Sequence, residues 1–208
     1  MWLNKMIKNV VFDNGGVIVK YSFKTYLDYF KYPKKIQNKL NTLFLTDEWI
    51  EFAKGKITSS QFKEFALEKF KEYKKEVLEI LDVKNLKFLI PPYTQTIEFI
   101  KLLKSDGYNV YLLTDINEDT IDYLNEEIEN FESMFDGIVY SCRVGMVKKE
   151  GKVFKHLLDK YNLEPTETLF VDDSLNNLKE AKKYNILTYK FLEPEKDIKK
   201  LQKIIYNN

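Results

Sequence analysis

VVFDNGGVIV, Val10 to Val19, is an apolar run broken by one acid and two glycines before it turns apolar again. The approach to Asp13 lacks strict alternation, the mark of a strand buried on both faces. Two endings fit such a strand. In one, Asp13 opens a tight turn and Gly15-Gly16 let the chain reverse. In the other, Asp13 is a positioned nucleophile, and the glycines let a substrate come close to the backbone.

The pattern around this stretch sets the fold. Short apolar runs recur at 6–13, 108–115, 135–141, 168–173 and 186–191, each closing on polar or small residues. Segments of helical period separate them: Thr94 to Lys104 with Ile97, Ile100, Leu102 and Leu103, Asn117 to Phe131 with Ile121, Leu124 and Ile128, then Val153 to Tyr161, Leu175 to Tyr184 and Glu195 to Tyr206. Strand alternating with helix predicts an α/β fold, a doubly wound parallel sheet. One region departs from the rhythm. From Ser22 to Leu86 there are only aromatic-rich helical patterns, with Ser59 and Ser60 as N-cap candidates, until Pro91-Pro92 marks the return. The expected organisation is an α/β core of residues 1–21 and 87–208 with a small all-helical insert, 22–86, after strand one. Because the insert starts just past Asp13, a cap over the site is expected. Trp49, Phe52 and Lys54 are its candidates for facing the site, although aromatics at helical spacing more often form a core.

Composition narrows the function. Of 208 residues, 44% are hydrophobic and 31% charged, enough for a sizeable core, and the net charge of +1 gives no reason to expect nucleic acid or an anionic membrane as partner. One cysteine, Cys142, and one histidine, His156, exclude an intramolecular disulfide and polyhistidine or thiolate metal sites. His156 lies in a helical pattern, where a packed or surface role is the ordinary one. The opening MWLNKMIKNV is too short and polar to read as a signal peptide, and no apolar run reaches about 18 residues, so the expectation is a cytoplasmic protein, a monomer by default.

In parallel α/β sheets, ligands bind beyond the carboxyl ends of the strands. Those ends carry Asp13, Thr114-Asp115, Ser141 followed by Lys148, and Asp172-Asp173. Singly each is weak, since an acid at a strand end often caps the next helix, as Asp173 or Ser174 can here. Together they place the acids Asp13, Asp172 and Asp173, a hydroxyl and a lysine at one edge. Like charges so crowded call for a cation, and oxygen donors favour Mg²⁺. A cation, a lysine and a hydroxyl are what a phosphate dianion needs to approach an anionic nucleophile.

These residues resemble the haloacid dehalogenase-like superfamily, in order and over essentially the whole chain. FDNGGV resembles its first motif, which implies Asp13 as nucleophile and the Gly15 carbonyl as a metal ligand beside Asp172 and Asp173. LLTD resembles the second, with Thr114 on the phosphoryl group. VGMVKKEGKVF resembles the third, with Lys148 at its lysine and Lys149 as the neighbouring alternative. FVDDSLNN resembles the fourth, with Asn177 in a supporting position. The resemblance implies a Rossmann-like core, a helical cap, Mg²⁺ and a small phosphorylated substrate contacted by Asn14, Gly15, Gly16, Thr114, Asp115, Lys148 and Asn177. The expected activity is therefore that of a phosphatase acting through an aspartyl-phosphate, with sugar phosphates among the candidate substrates.

The sequence also departs from the family. Most of its phosphatases carry a second acid two residues after the nucleophile, where this chain has Gly15. Such Asp-x-Gly-Gly variants are similar to the phosphatase domains of soluble epoxide hydrolases and to sugar-1-phosphate phosphatases. Without that acid, phosphates that leave easily should be favoured. A 2-haloacid dehalogenase and a catalytically weak regulatory protein are the alternatives. Against the first stand the Asp172-Asp173 pair and the single arginine, Arg143; against the second stands the full set of strand-end residues.

Overall fold

Apolar runs flanked by helices fold as the alternation demands. The computed structural model describes residues 6–207; residues 1–5, which begin the polar opening segment, and residue 208 lie outside the described residues. Five strands, β1 (Asn9–Phe12), β2 (Asn109–Thr114), β3 (Gly137–Tyr140), β4 (Thr168–Asp172) and β5 (Leu187–Lys190), form one parallel sheet in the order β3-β2-β1-β4-β5. The chain starts in the middle, builds outward to one edge, then crosses back to build the other, so the doubly wound α/β expectation holds. Each strand is shorter than its apolar run, because the flanking residues leave the ladder to enter turns.

Both faces of β1 are buried. Val10 and Phe12 join a core with α7 (Thr94–Ser105), α12 (Pro194–Tyr206) and the helices that follow β1. Val11 faces the other way, into a core with α10 (Lys152–Tyr161) and α11 (Leu175–Lys182). Two expectations are corrected on the first face. Leu102 points outward at 41% exposure, while Thr96 and Phe99 turn inward with Ile100 and Leu103. The helix expected over 117–131 is α8 (Glu118–Glu127), which stops early. Ile128 is extended and Asn130 left-handed (φ 59°), which turns Phe131 back against Phe135 before β3 begins.

Between β1 and α7 lie six helices and no strand: α1 (Phe23–Tyr29), α2 (Lys34–Asn41), α3 (Asp47–Ala53), α4 (Ser59–Lys69), α5 (Lys74–Ile80) and α6 (Leu86–Leu89). Short helices of this length need packing to persist. Aromatic rings supply it: Phe23 stacks on Phe44 at 3.6 Å, Phe52 on Phe62 at 4.9 Å, and Trp49 stands edge-on to both Phe44 and Phe52. The N-cap of α4 is Thr58, in a reciprocal box with Gln61, and not Ser59 or Ser60, which lie in its first turn. Tethers join this array to the sheet layer where α3 meets α9 (Ser141–Val144): Ser141 Oγ donates to the Ala53 carbonyl at 2.6 Å, and the Lys54 ammonium pairs with Glu150. No helix among the described residues is long and apolar enough to cross a membrane.

Candidate active site

The strand order explains why residues 159 positions apart meet. With β1 between β2 and β4, Phe12 is in register with Leu112 and Val171. The next residues, Asp13, Leu113-Thr114 and Asp172, therefore leave the sheet side by side. Asp13 stays in line with β4 through its N–H, which donates to the Val171 carbonyl at 2.9 Å. A turn follows in which Asn14 accepts the N–H groups of Val17, Ile18 and Val19 on its carbonyl, while Gly16 donates to the Val19 carbonyl. Gly16 is left-handed (φ 76°), and a Cβ there would collide with the Asp173 carboxylate, so the turn reading of the opening stretch holds at this residue.

Asp13 and Lys148 are buried, at 6% and 2% exposure. Lys148 Nζ lies 2.6 Å from Asp13 Oδ1 and 2.9 Å from Asp172 Oδ2. Asp13 Oδ1 also accepts the Asn14 N–H at 2.6 Å, whereas no hydrogen bond reaches Oδ2 among the described residues. Asp172, wholly buried, takes the Ser174 N–H at 2.7 Å and the Asn177 amide at 3.1 and 3.2 Å. Asp115 accepts the Lys148 backbone N–H on both oxygens, at 3.0 and 3.2 Å, which fixes the loop that delivers the ammonium. Of the two adjacent lysines, Lys148 is the one the fold draws in; Lys149 is exposed at the cavity wall.

Electrostatics follow from that packing. Burial pushes the Asp13 carboxyl well above the usual carboxylate range, Lys148 pulls it back, and Asp172 raises it again. Burial alone would lower the Lys148 ammonium, but Asp13, Asp172 and Asp115 outweigh it and hold the proton firmly. Asp173 is raised by burial and by Asp172. One ammonium among these carboxylates leaves excess negative charge. The donor set suits a hard cation: Asp13, Asp172 and Asp173 each offer an oxygen, all within 4.8 Å of one another, and can hold a metal ion.

A cavity of about 400 Å³ opens over this edge, lined at its floor by Asp13, Asn14, Gly15, Thr114, Asp115, Lys148, Asp173 and Asn177. Thr114 is buried at the end of β2, and Asn14 Oδ1 is buried without a hydrogen-bond partner. Asn177 reaches the floor chiefly as a brace for Asp172. Arg143 is bound instead to Glu118 at 3.1 Å and does not line the cavity. Sequence reasoning passed over Tyr21, which also lines the cavity. Its ring lies 3.3 Å from where a Gly15 Cβ would stand, filling the space beside the residue that carries no acid. Its place directly after the Gly-Gly turn is the only signal that could have found it. Ser141, noted as a hydroxyl near the site, spends it on the Ala53 and Ile116 backbones.

Known proteins resemble this chain in sequence and fold. The chain is 27% identical over 94% of its length to mouse acyl-CoA dehydrogenase family member 10, but spans only 19% of that protein. It is similar to D-ribitol-5-phosphate phosphatase of Bacteroides thetaiotaomicron (26% identity, covering 88% of this chain and 91% of that one) and to sesquiterpene phosphatase astK of Aspergillus oryzae (25% identity, 82% and 83%). Among solved structures, a HAD family enzyme from Bacteroides thetaiotaomicron in complex with magnesium and inorganic phosphate superposes with a TM-score of 0.73 at 26% identity, covering 88% of this chain and 93% of that one. The family model for haloacid dehalogenase-like hydrolase matches residues 7–185, the whole span from before β1 to beyond α11. The chain belongs to the haloacid dehalogenase-like hydrolases.

Proposed function

We propose that this hydrolase is a Mg²⁺-dependent phosphatase that cleaves a small phosphorylated substrate through a phosphoryl group carried on Asp13. The observation that carries the reading is the state of Asp13: one oxygen is held by Lys148 and the Asn14 N–H, and the other is left without a hydrogen bond on a cavity wall. Two relatives that match most of the chain are phosphatases by name, and the magnesium and phosphate complex of the structural neighbour supports the same chemistry.

In this mechanism Asp13 Oδ2 attacks phosphorus, the bond from phosphorus to the ester oxygen breaks, and its electron pair leaves with that oxygen, which takes a proton from water. Water then adds to phosphorus, the bond to Oδ2 breaks, and the carboxylate returns as inorganic phosphate leaves. Lys148 offsets charge on Asp13 and on the phosphoryl oxygens, while the Thr114 hydroxyl and the Gly15 N–H, the one N–H of the Asn14–Gly16 turn not already donated within it, hold those oxygens. Asp13, Asp172, Asp173 and the Gly15 carbonyl would hold the Mg²⁺, which when bound supplies the positive charge a dianion needs in an acidic site. Residues 22–86 serve as the cap that excludes water.

No acid stands at residue 15, a contribution worth about 10²–10⁴-fold where it is present. Good leaving groups are therefore favoured. Gly15→Asp should help poor leaving groups selectively once Tyr21, which is 41% exposed, swings aside to admit the side chain. The decisive assay is hydrolysis of an aryl phosphate with Mg²⁺, with EDTA, and in Asp13→Asn. Turnover lost in both the second and third supports the proposal; turnover that survives the substitution sinks it.

A further inference from the structure

The cavity is chemically divided. Its charged and hydrogen-bonding groups gather at the floor and along the start of α8, where Asn117 already caps the helix by accepting from the Thr120 N–H. The roof comes from residues 44–53 and 80–90, and of the residues it contributes to the lining only Asp82 is not apolar. The Asp82 carboxylate accepts the Lys84 N–H, and the hydroxyl of Tyr26, which reaches the same wall, donates to the Ile80 carbonyl at 2.8 Å. Apart from the second carboxylate oxygen of Asp82 and the indole N–H of Trp49, what remains to meet a ligand there is hydrocarbon and aromatic: Phe44, Trp49, Ile50, Phe52, Leu81 and Leu86. A polyol placed under this roof would lose water from its hydroxyls and find few partners in return. A hydrocarbon would gain from burial there.

We infer that the substrate is a phosphate ester of an apolar group, its phosphate at Asp13 and its hydrocarbon tail under the helical roof, and not a sugar phosphate. The inference rests on the phosphatase reading for the floor, and on the roof alone for the tail. The volume of about 400 Å³ is near the small end of the roughly 300–1,000 Å³ typical of ligand pockets, so the tail is of limited length. Trp49 and Phe52 thus have two duties, since the rings that pack the helical array also line the cavity.

The test is a series of 4-n-alkylphenyl phosphates with Mg²⁺, in which the leaving group stays nearly constant while the tail grows, beside analogues of equal length ending in a hydroxyl. kcat/KM should rise by about fourfold per methylene until the cavity is filled, and each terminal hydroxyl should reverse the gain of several methylenes. Ala53→Leu, which narrows the roof, should bring the plateau to a shorter tail. A flat series, or hydroxyl-ended analogues that equal or exceed the alkyl ones, overturns the inference. If nothing in the series is hydrolysed, unsubstituted phenyl phosphate included, the phosphatase reading fails by itself. Binding of the matching 4-n-alkylphenyl phosphonates, which needs no turnover, then decides the tail: Kd falling about fourfold per methylene upholds it, and Kd independent of length overturns it.

Discussion

Asp13 and Asp197 are buried alike, at 6% and 4% exposure, yet one lies at the carboxyl edge of the sheet and the other in the first turn of α12. Asp197 accepts from the Leu192 and Glu193 N–H groups at 2.7 and 2.9 Å, from the Tyr189 hydroxyl at 2.8 Å and from Lys200 at 3.1 Å. Burial would raise its pKa, but these donors outweigh burial and draw it down to about 2. Asp13 has one ammonium, a second carboxylate against it and an oxygen left open, and burial drives it up. A carboxylate that serves structure is surrounded by donors until no valence is left. Asp13 is kept unsatisfied instead, and the rest of the fold must bear that cost.

Substitutions can break this contrast in order of size. Asp13→Asn should lower turnover of an aryl phosphate by about 10⁴-fold or more while melting no earlier, because it removes one of two adjacent like charges; a variant that unfolds early would mean that Asp13 is structural like Asp197. Lys148→Ala should cost about 3–5 kcal/mol in urea denaturation, since Asp13 and Asp172 are then buried without their counter-charge. Added Mg²⁺ should recover part of that loss, and a loss indifferent to Mg²⁺ would speak against a cation among these carboxylates.

Acid should act through Asp197. Its folded pKa is about 2, below the usual ~3.9, so its stabilisation of roughly 2 kcal/mol is complete above pH ~4 and lost as pH falls toward 2. In Asp197→Asn that part of the acid unfolding curve should flatten, and hydrolysis at neutral pH should persist. Thr58→Ala, remote from both carboxylates, sets the lower bound: removing the N-cap of α4 should cost about 1 kcal/mol, read by thermal melting.

Much of the floor was legible in the sequence because acids that end apolar runs have few structural excuses when four strand ends carry polar groups together. Strand order turned that coincidence into contact, placing Asp13 between Thr114 and Asp172. The roof was not legible. Trp49 and Phe52 show the same helical spacing whether they pack a core or line a cavity, and here they do both. Lys54, a candidate for facing the substrate, instead pairs with Glu51 and Glu150. Tyr21 and the cap of α4 show two other limits. The first is an approach across a turn that no periodicity encodes, and the second is a choice among three adjacent hydroxyls that one glutamine, Gln61, settles.

The central position of β1 has a consequence for synthesis on the ribosome. β1 leaves the exit tunnel first among the strands, but its partners follow about 100 and 159 residues later, as the Asn109 to Asn9 and Asn9 to Thr168 contacts show. At the ordinary 5–20 residues per second, VVFDNGGVIV waits on the order of ten seconds before β4 can close over it. So apolar a segment, unpaired for that long, invites strand pairing between nascent chains. The carboxylate and the two glycines that interrupt it break this apolar run early, which keeps the first strand short and poorly suited to such pairing until β2 and β4 are made.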